Sequence, residues 1–135
     1  MKVEIIGKSK TGNEEILNLV SELAEILEIK DKNIVVEILF TKPEEIQKLN
    51  ITYRKIDTPT DVLSFPQITI NSDAPVLGSI AICEEIVEKK GETIPEVIIH
   101  GFMHLAGLDH EIDDKKWNEV ERDIYAKIGF KKINS

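Results

Sequence analysis

Arginine is nearly missing from this chain. Its 135 residues include 17 Lys and Arg together, yet only Arg54 and Arg122 are arginines. Cysteine is scarcer still. With Cys83 alone there is no intrachain disulfide, which predicts a reducing compartment. The residue itself reads as a small core hydrophobe. No apolar run is long enough for a signal peptide or a membrane span, so a cytoplasmic protein without membrane partners is expected. Repeats, low-complexity tracts and linkers are also missing, which predicts one domain over residues 1–135, with 41% apolar residues to build its core. Positive charge is short as well. At a net charge of −8, the protein on average repels a phosphate backbone. Binding to nucleic acid would therefore need a local positive patch or a metal.

What is present reads as strands and helices in alternation. Residues 2–7 predict a first strand. Thr11 and Glu14 suggest a capping box for an amphipathic helix over 13–28, whose apolar positions recur at helical spacing. Residues 33–40, rich in β-branched side chains, predict a buried strand, followed by a short acidic helix over about 43–50. Residues 54–60, which contain Pro59, read as a loop, and 62–65 and 76–82 as strands. Helical text follows at 83–90, at 94–106 behind a clear Thr93–Pro95–Glu96 start, and at 111–128 with Gly129 as its stop. The sum is an α+β fold: a mixed four-stranded sheet packed with about five helices.

All three histidines fall within HGFMHLAGLDH. His100 and His104 lie four apart on one helix face, so both imidazoles can reach a common point. Gly107 is where the helix must end, because glycine takes the left-handed turn cheaply, and the turn can swing His110 back as a third ligand. Three protein ligands leave a fourth tetrahedral position for water, the pattern of a catalytic zinc. Three imidazoles suit Zn2+ best, while nickel, copper or iron would also accept the donor set. Asp109 and Glu111 flank the third histidine, either orienting an imidazole or simply opening the last helix at the surface. The spacing equals that of metzincin proteases, but Gly101 stands where their glutamate base is needed, and no methionine follows Met103. Both absences weigh against peptide hydrolysis.

Two motifs together resemble the YbeY family of single-domain, metal-dependent endoribonucleases of ribosomal RNA maturation. One is His100–His110. The other is Tyr53–Pro66, YRKIDTPTDVLSFP. Met103 and Leu108 depart from the family's usual Leu and Tyr, and Ser79 stands where an Asp is usual, a change that bears on the surroundings of the metal. The resemblance implies that Arg54 is the catalytic arginine. Its planar fork matches phosphate oxygens and stays charged at any working pH. The competing reading of Arg54 is a surface residue paired with Asp57. Lys55 is a candidate helper charge, and Asp57, Thr60 and Asp61 are expected to shape the loop through side-chain-to-backbone bonds.

The expected activity is hydrolysis of single-stranded RNA rather than DNA, by metal-activated water with Arg54 on the phosphoryl oxygens, in rRNA maturation and ribosome quality control. The ribosome or its proteins are the implied partners. Two alternatives stand beside it: a metallohydrolase of another class, such as a metzincin-like peptidase or an amidase, and a non-enzymatic zinc-binding factor of the ribosome.

Overall fold

Apolar alternation along the strands decides how the layers stack. The computed structural model describes residues 1–67 and 76–129; the remainder of the domain expected over 1–135 lies outside the described residues. Chain order is β1 (Lys2–Ile6), α1 (Asn13–Ile26), β2 (Val35–Phe40), α2 (Pro43–Arg54), β3 (Val62–Pro66), β4 (Val76–Ile82), α3 (Glu84–Lys89), α4 (Ile94–Leu105) and α5 (Asp114–Ile128). The strands form one sheet in the order β1-β2-β4-β3. β1 and β4 each run parallel to β2, while β3 closes antiparallel on β4, so the sheet is mixed. The α+β expectation holds, with five helices among the described residues.

Successive residues of a strand face opposite sides. Val36, Ile38, Ile80 and Ile82 therefore meet one layer, where α1, α4 and α5 contribute Leu23, Ile98, Phe102 and Ile124 to the main core. Leu63, Phe65 and Ala81 face the other side and pack with Ile46 of α2. Cys83 belongs to this second cluster and is fully buried, and burial pushes its thiol pKa up. The expected core role fits an unreactive thiol. No helix among the described residues is long and apolar enough to cross a membrane.

Three boundaries differ from expectation, each for a local reason. The Thr11–Glu14 capping box does not form. Gly12 is the N-cap of α1 without a side-chain bond, and the Thr11 amide instead donates to Ser9 Oγ at 3.0 Å. Helix α2 runs a full turn beyond 50. The buried Asn50 explains this: its Nδ2 donates to the Thr58 carbonyl at 2.9 Å, folding the following loop back over the helix end, and Lys55 then stops the helix in the left-handed conformation. Arg54 is thus the last helical residue rather than the first of a loop. Helix α5 begins three residues late because Asp109 and Asp113 divert the chain. Asp109 Oδ1 accepts from the Glu111 amide at 2.8 Å, and Asp113 Oδ1 caps the helix by accepting from the Lys116 amide at 3.0 Å. Short carboxylates that bond nearby backbone favour turns and caps over helix interiors.

Candidate metal centre

Helix α4 carries the first two histidines, and its start is well fixed. The Thr93 side chain accepts from the Glu96 amide, Glu96 Oε1 accepts from the Thr93 amide at 3.1 Å, and Pro95 occupies the first turn. Such a cap contributes about 1 kcal/mol. The helix presses on the sheet at Gly101, where an added Cβ would stand 2.9 Å from Ile80 Cγ2 and 3.1 Å from Ser64 Oγ. This close approach seats α4 against β3 and β4 and sets its histidines beside them, at the cleft. It also leaves no room for the glutamate that a metzincin carries at this point.

The helix ends in paired bonds. The Gly107 amide donates to the His104 carbonyl at 3.0 Å and the Leu108 amide to the Met103 carbonyl at 3.1 Å. Gly107 has φ +92, with no atom within 4 Å of an added Cβ, so the glycine is required by conformation and not by space. Beyond it the Asp109 turn brings His110 back over α4.

The three imidazoles converge. Their candidate ligand nitrogens all lie within 4.8 Å of one another, with His100 and His104 half-buried and His110 exposed. The Nε2 atoms of His100 and His104 are 3.3 Å apart. Two nitrogens at the usual Zn–N length of about 2.0–2.1 Å, spread by a tetrahedral angle, stand about 3.3 Å apart. The His100–His104 pair therefore has the spacing of two ligands on a zinc-sized ion, with a His110 nitrogen close enough to join them. Among the described residues, no Cys, Asp or Glu joins the three histidines in this group. Burial, the largest influence, holds His104 below its ordinary pKa; the Asp109 carboxylate pulls it up and His110 pushes it down. A ligand must be the neutral imidazole, so burial favours the binding form.

Arg54 reaches the same cleft from the other side of the sheet. The cleft, about 390 Å³, is lined by Arg54, Val62, Ser64 and Pro66 on one wall and by the three histidines with Asp109 and Glu111 on the other. The Arg54 guanidinium donates to the Ser64 carbonyl at 3.0 Å. Because β3 is an edge strand, this carbonyl faces away from the ladder. The pairing with Asp57 does not occur; Asp57 accepts from Gln47 Nε2 at 2.9 Å. Lys55 turns back toward the Thr52 carbonyl. Asp61 shapes the loop as expected, its Oδ1 accepting from the Val62 amide and from the Thr60 hydroxyl.

Two features were invisible in the sequence pattern. Trp117, a buried residue of the last helix, packs against all three histidine rings. Ser79 lies on the Ala81 side of the sheet, opposite α4, where its hydroxyl donates to the buried Glu37 at 2.7 Å. The missing Asp at this position is therefore a matter of the far sheet face and not of the surroundings of the histidines.

Comparison with known proteins agrees with this architecture. The profile of the family described as Endoribonuclease YbeY matches residues 3–129. The chain is 40% identical over 122 residues to "Endoribonuclease YbeY" of Aliarcobacter butzleri, covering 84% of each chain. It is 36% identical to the Thermotoga maritima protein of the same name, covering 87% of this chain and 81% of the relative. The solution structure of TM1509 from Thermotoga maritima superposes with a TM-score of 0.56 at 31% identity, covering 93% of this chain and 90% of the other.

Proposed function

This chain belongs to the YbeY family, whose relatives are named endoribonucleases, and we propose that it is a zinc-dependent endoribonuclease specific for single-stranded RNA. The observation that carries the reading is the convergence of three imidazoles in one cleft with the Arg54 guanidinium opposite them. In this reading His100, His104 and His110 hold the ion, and Arg54 is the catalytic residue that grips the scissile phosphate. Cytoplasmic work on ribosomal RNA, in maturation and quality control alongside the ribosome, extends the reading through the resemblance of the two motifs.

His100, His104 and His110, as neutral imidazoles, would hold the zinc ion, which would supply Lewis acidity to the cleft. The chain's own groups do the rest. Arg54 spends one of its N–H donors on the Ser64 carbonyl, which fixes the guanidinium plane at the cleft wall. The remaining donors are a fork for two phosphoryl oxygens, whose charge grows in the transition state. With a divalent ion bound, that ion and Arg54 would together outweigh the Asp109 and Glu111 carboxylates that share the cleft, which answers the electrostatic objection locally. A cleft of this volume has room for a splayed nucleotide, which supports unpaired RNA as the substrate.

Elemental analysis of purified protein, followed by digestion of matched single-stranded and duplex RNA with and without chelator, tests the proposal. One zinc per chain and chelator-sensitive cleavage of the unpaired strand are expected. Full cleavage by metal-free protein would remove zinc from the mechanism. Intact RNA beside degraded casein would move the chain to another class of hydrolase.

A further inference from the structure

The single tryptophan of this chain sits where it can govern the three histidines at once. Trp117 lies on α5, about one turn beyond its Asp113 cap, and is 4% exposed. Its ring centroid is 5.0 Å from that of His100, 4.8 Å from His104 and 5.2 Å from His110, with interplanar angles of 63°, 44° and 77°. The imidazole centroids are themselves 4.9, 5.8 and 5.8 Å apart. Near-equal distances to three corners put the indole over the middle of the triangle and not beside one ring. The cleft with Arg54 is lined by the histidines but not by Trp117, so the indole covers the triangle from the protein side.

We propose that Trp117 is a positioning residue that preorganises the three imidazoles for their cation, an inference that rests on the metal reading above. Each histidine side chain has two rotatable bonds, and a ligand set that must order three rings on binding loses affinity to that entropy. An indole in edge-to-face and tilted contact with all three restricts their planes beforehand. It also shields the triangle on the protein side, which leaves the cleft shared with Arg54 as the side from which the imidazoles are reached. The role is separate from ligation, since an indole offers no ligand atom to zinc. It is also more than core filling, because the indole touches every histidine of the chain.

The experiment uses the full chain with Trp117→Leu, Trp117→Phe and His104→Ala variants. Zinc affinity is read by competition with a chromophoric chelator, metal-free stability by urea unfolding, and tryptophan emission during Co2+ titration. In the parent, emission should be quenched and saturate at one equivalent of Co2+, and His104→Ala should abolish that quenching. Trp117→Leu should weaken zinc binding roughly 10–100-fold, the usual cost of losing a group that orients metal ligands. Trp117→Phe, which keeps a ring against the imidazoles, should recover most of that loss even where its urea midpoint matches that of Trp117→Leu. Equal zinc affinity in the parent and Trp117→Leu would overturn the proposal and leave the metal site standing. So would affinities that follow the urea midpoints alone. A parent that binds neither ion would overturn both readings together.

Discussion

The two walls of the cleft are built by opposite means. One wall is local: a helix, a glycine turn and a return loop place His100, His104 and His110 within 11 residues of chain. The other is assembled at long range, as Arg54 rides the last turn of α2 on the far face of the sheet and comes round the β3 edge to the Ser64 carbonyl. A wall made by helical periodicity survives most changes elsewhere in the molecule. A wall made by docking depends on α2, β3 and α4 holding their relative places. The first is therefore broken by removing a ligand, and the second by disturbing the packing beneath it.

Paired substitutions separate the walls most sharply. His104→Ala should release the metal and reduce RNA cleavage to background. Arg54→Ala should keep the metal and lose about 10²–10³-fold in kcat, the scale for one preorganised donor in a transition state. Metal content and a gel assay on the same preparations decide it, and Arg54→Ala cleaving at the parent's rate would dissolve the contrast.

Gly101→Ala has a smaller expected effect and tests the packing on which the docked wall rests. The new methyl meets Ile80 and Ser64. The overpacking costs about 1–3 kcal/mol, offset in part by about 1 kcal/mol of helix propensity. A fall of several degrees in Tm is expected, and an unchanged Tm would mean that the helix–sheet approach is looser than described.

The smallest effect lies at the seam between the walls. Glu92, just before α4, faces Asp61 at the start of β3. Burial and the neighbouring Asp61 carboxylate push the Glu92 pKa up to about 7. Asp61 is itself drawn below its ordinary value: burial alone would raise it, but the proton-sharing Glu92 and the Lys90 ammonium at 3.5 Å outweigh that. A raised carboxyl contributes stability that is fully present below its unfolded value near 4.5 and is lost as pH climbs through about 7. Glu92→Gln should therefore be more stable than the parent at pH 8, by about 1 kcal/mol after allowing for solvent screening. It should show no such gain at pH 4. Urea midpoints at the two pH values check the sign.

The same division explains what was legible in the sequence. The histidine spacing, the Thr93 cap and the Gly107 stop are written within single turns of chain, and the structure places each where expected. The sheet was readable because β-branched runs with turn signals between them leave few alternatives. The length of α2 was not. It depends on Asn50 finding the Thr58 carbonyl, a contact that exists only once the loop has folded back. Nor did periodicity reveal what Trp117 faces. An inward position on α5 names a face of a helix, while the three rings it meets belong to another helix and a turn. The Val62–Pro66 strand could be read as a strand, but its role as a wall appears only when α4 lies against it.

The bond from Arg54 to Ser64 has one more effect. An unsheltered outer strand invites a foreign segment to pair with it and start an aggregate, and proteins commonly defend such margins with charge. Here a cation is fastened directly onto one of the acceptors that an intruding backbone would need. The guanidinium thereby occupies one pairing position on this margin, and a neutral replacement would leave that acceptor free for a foreign backbone.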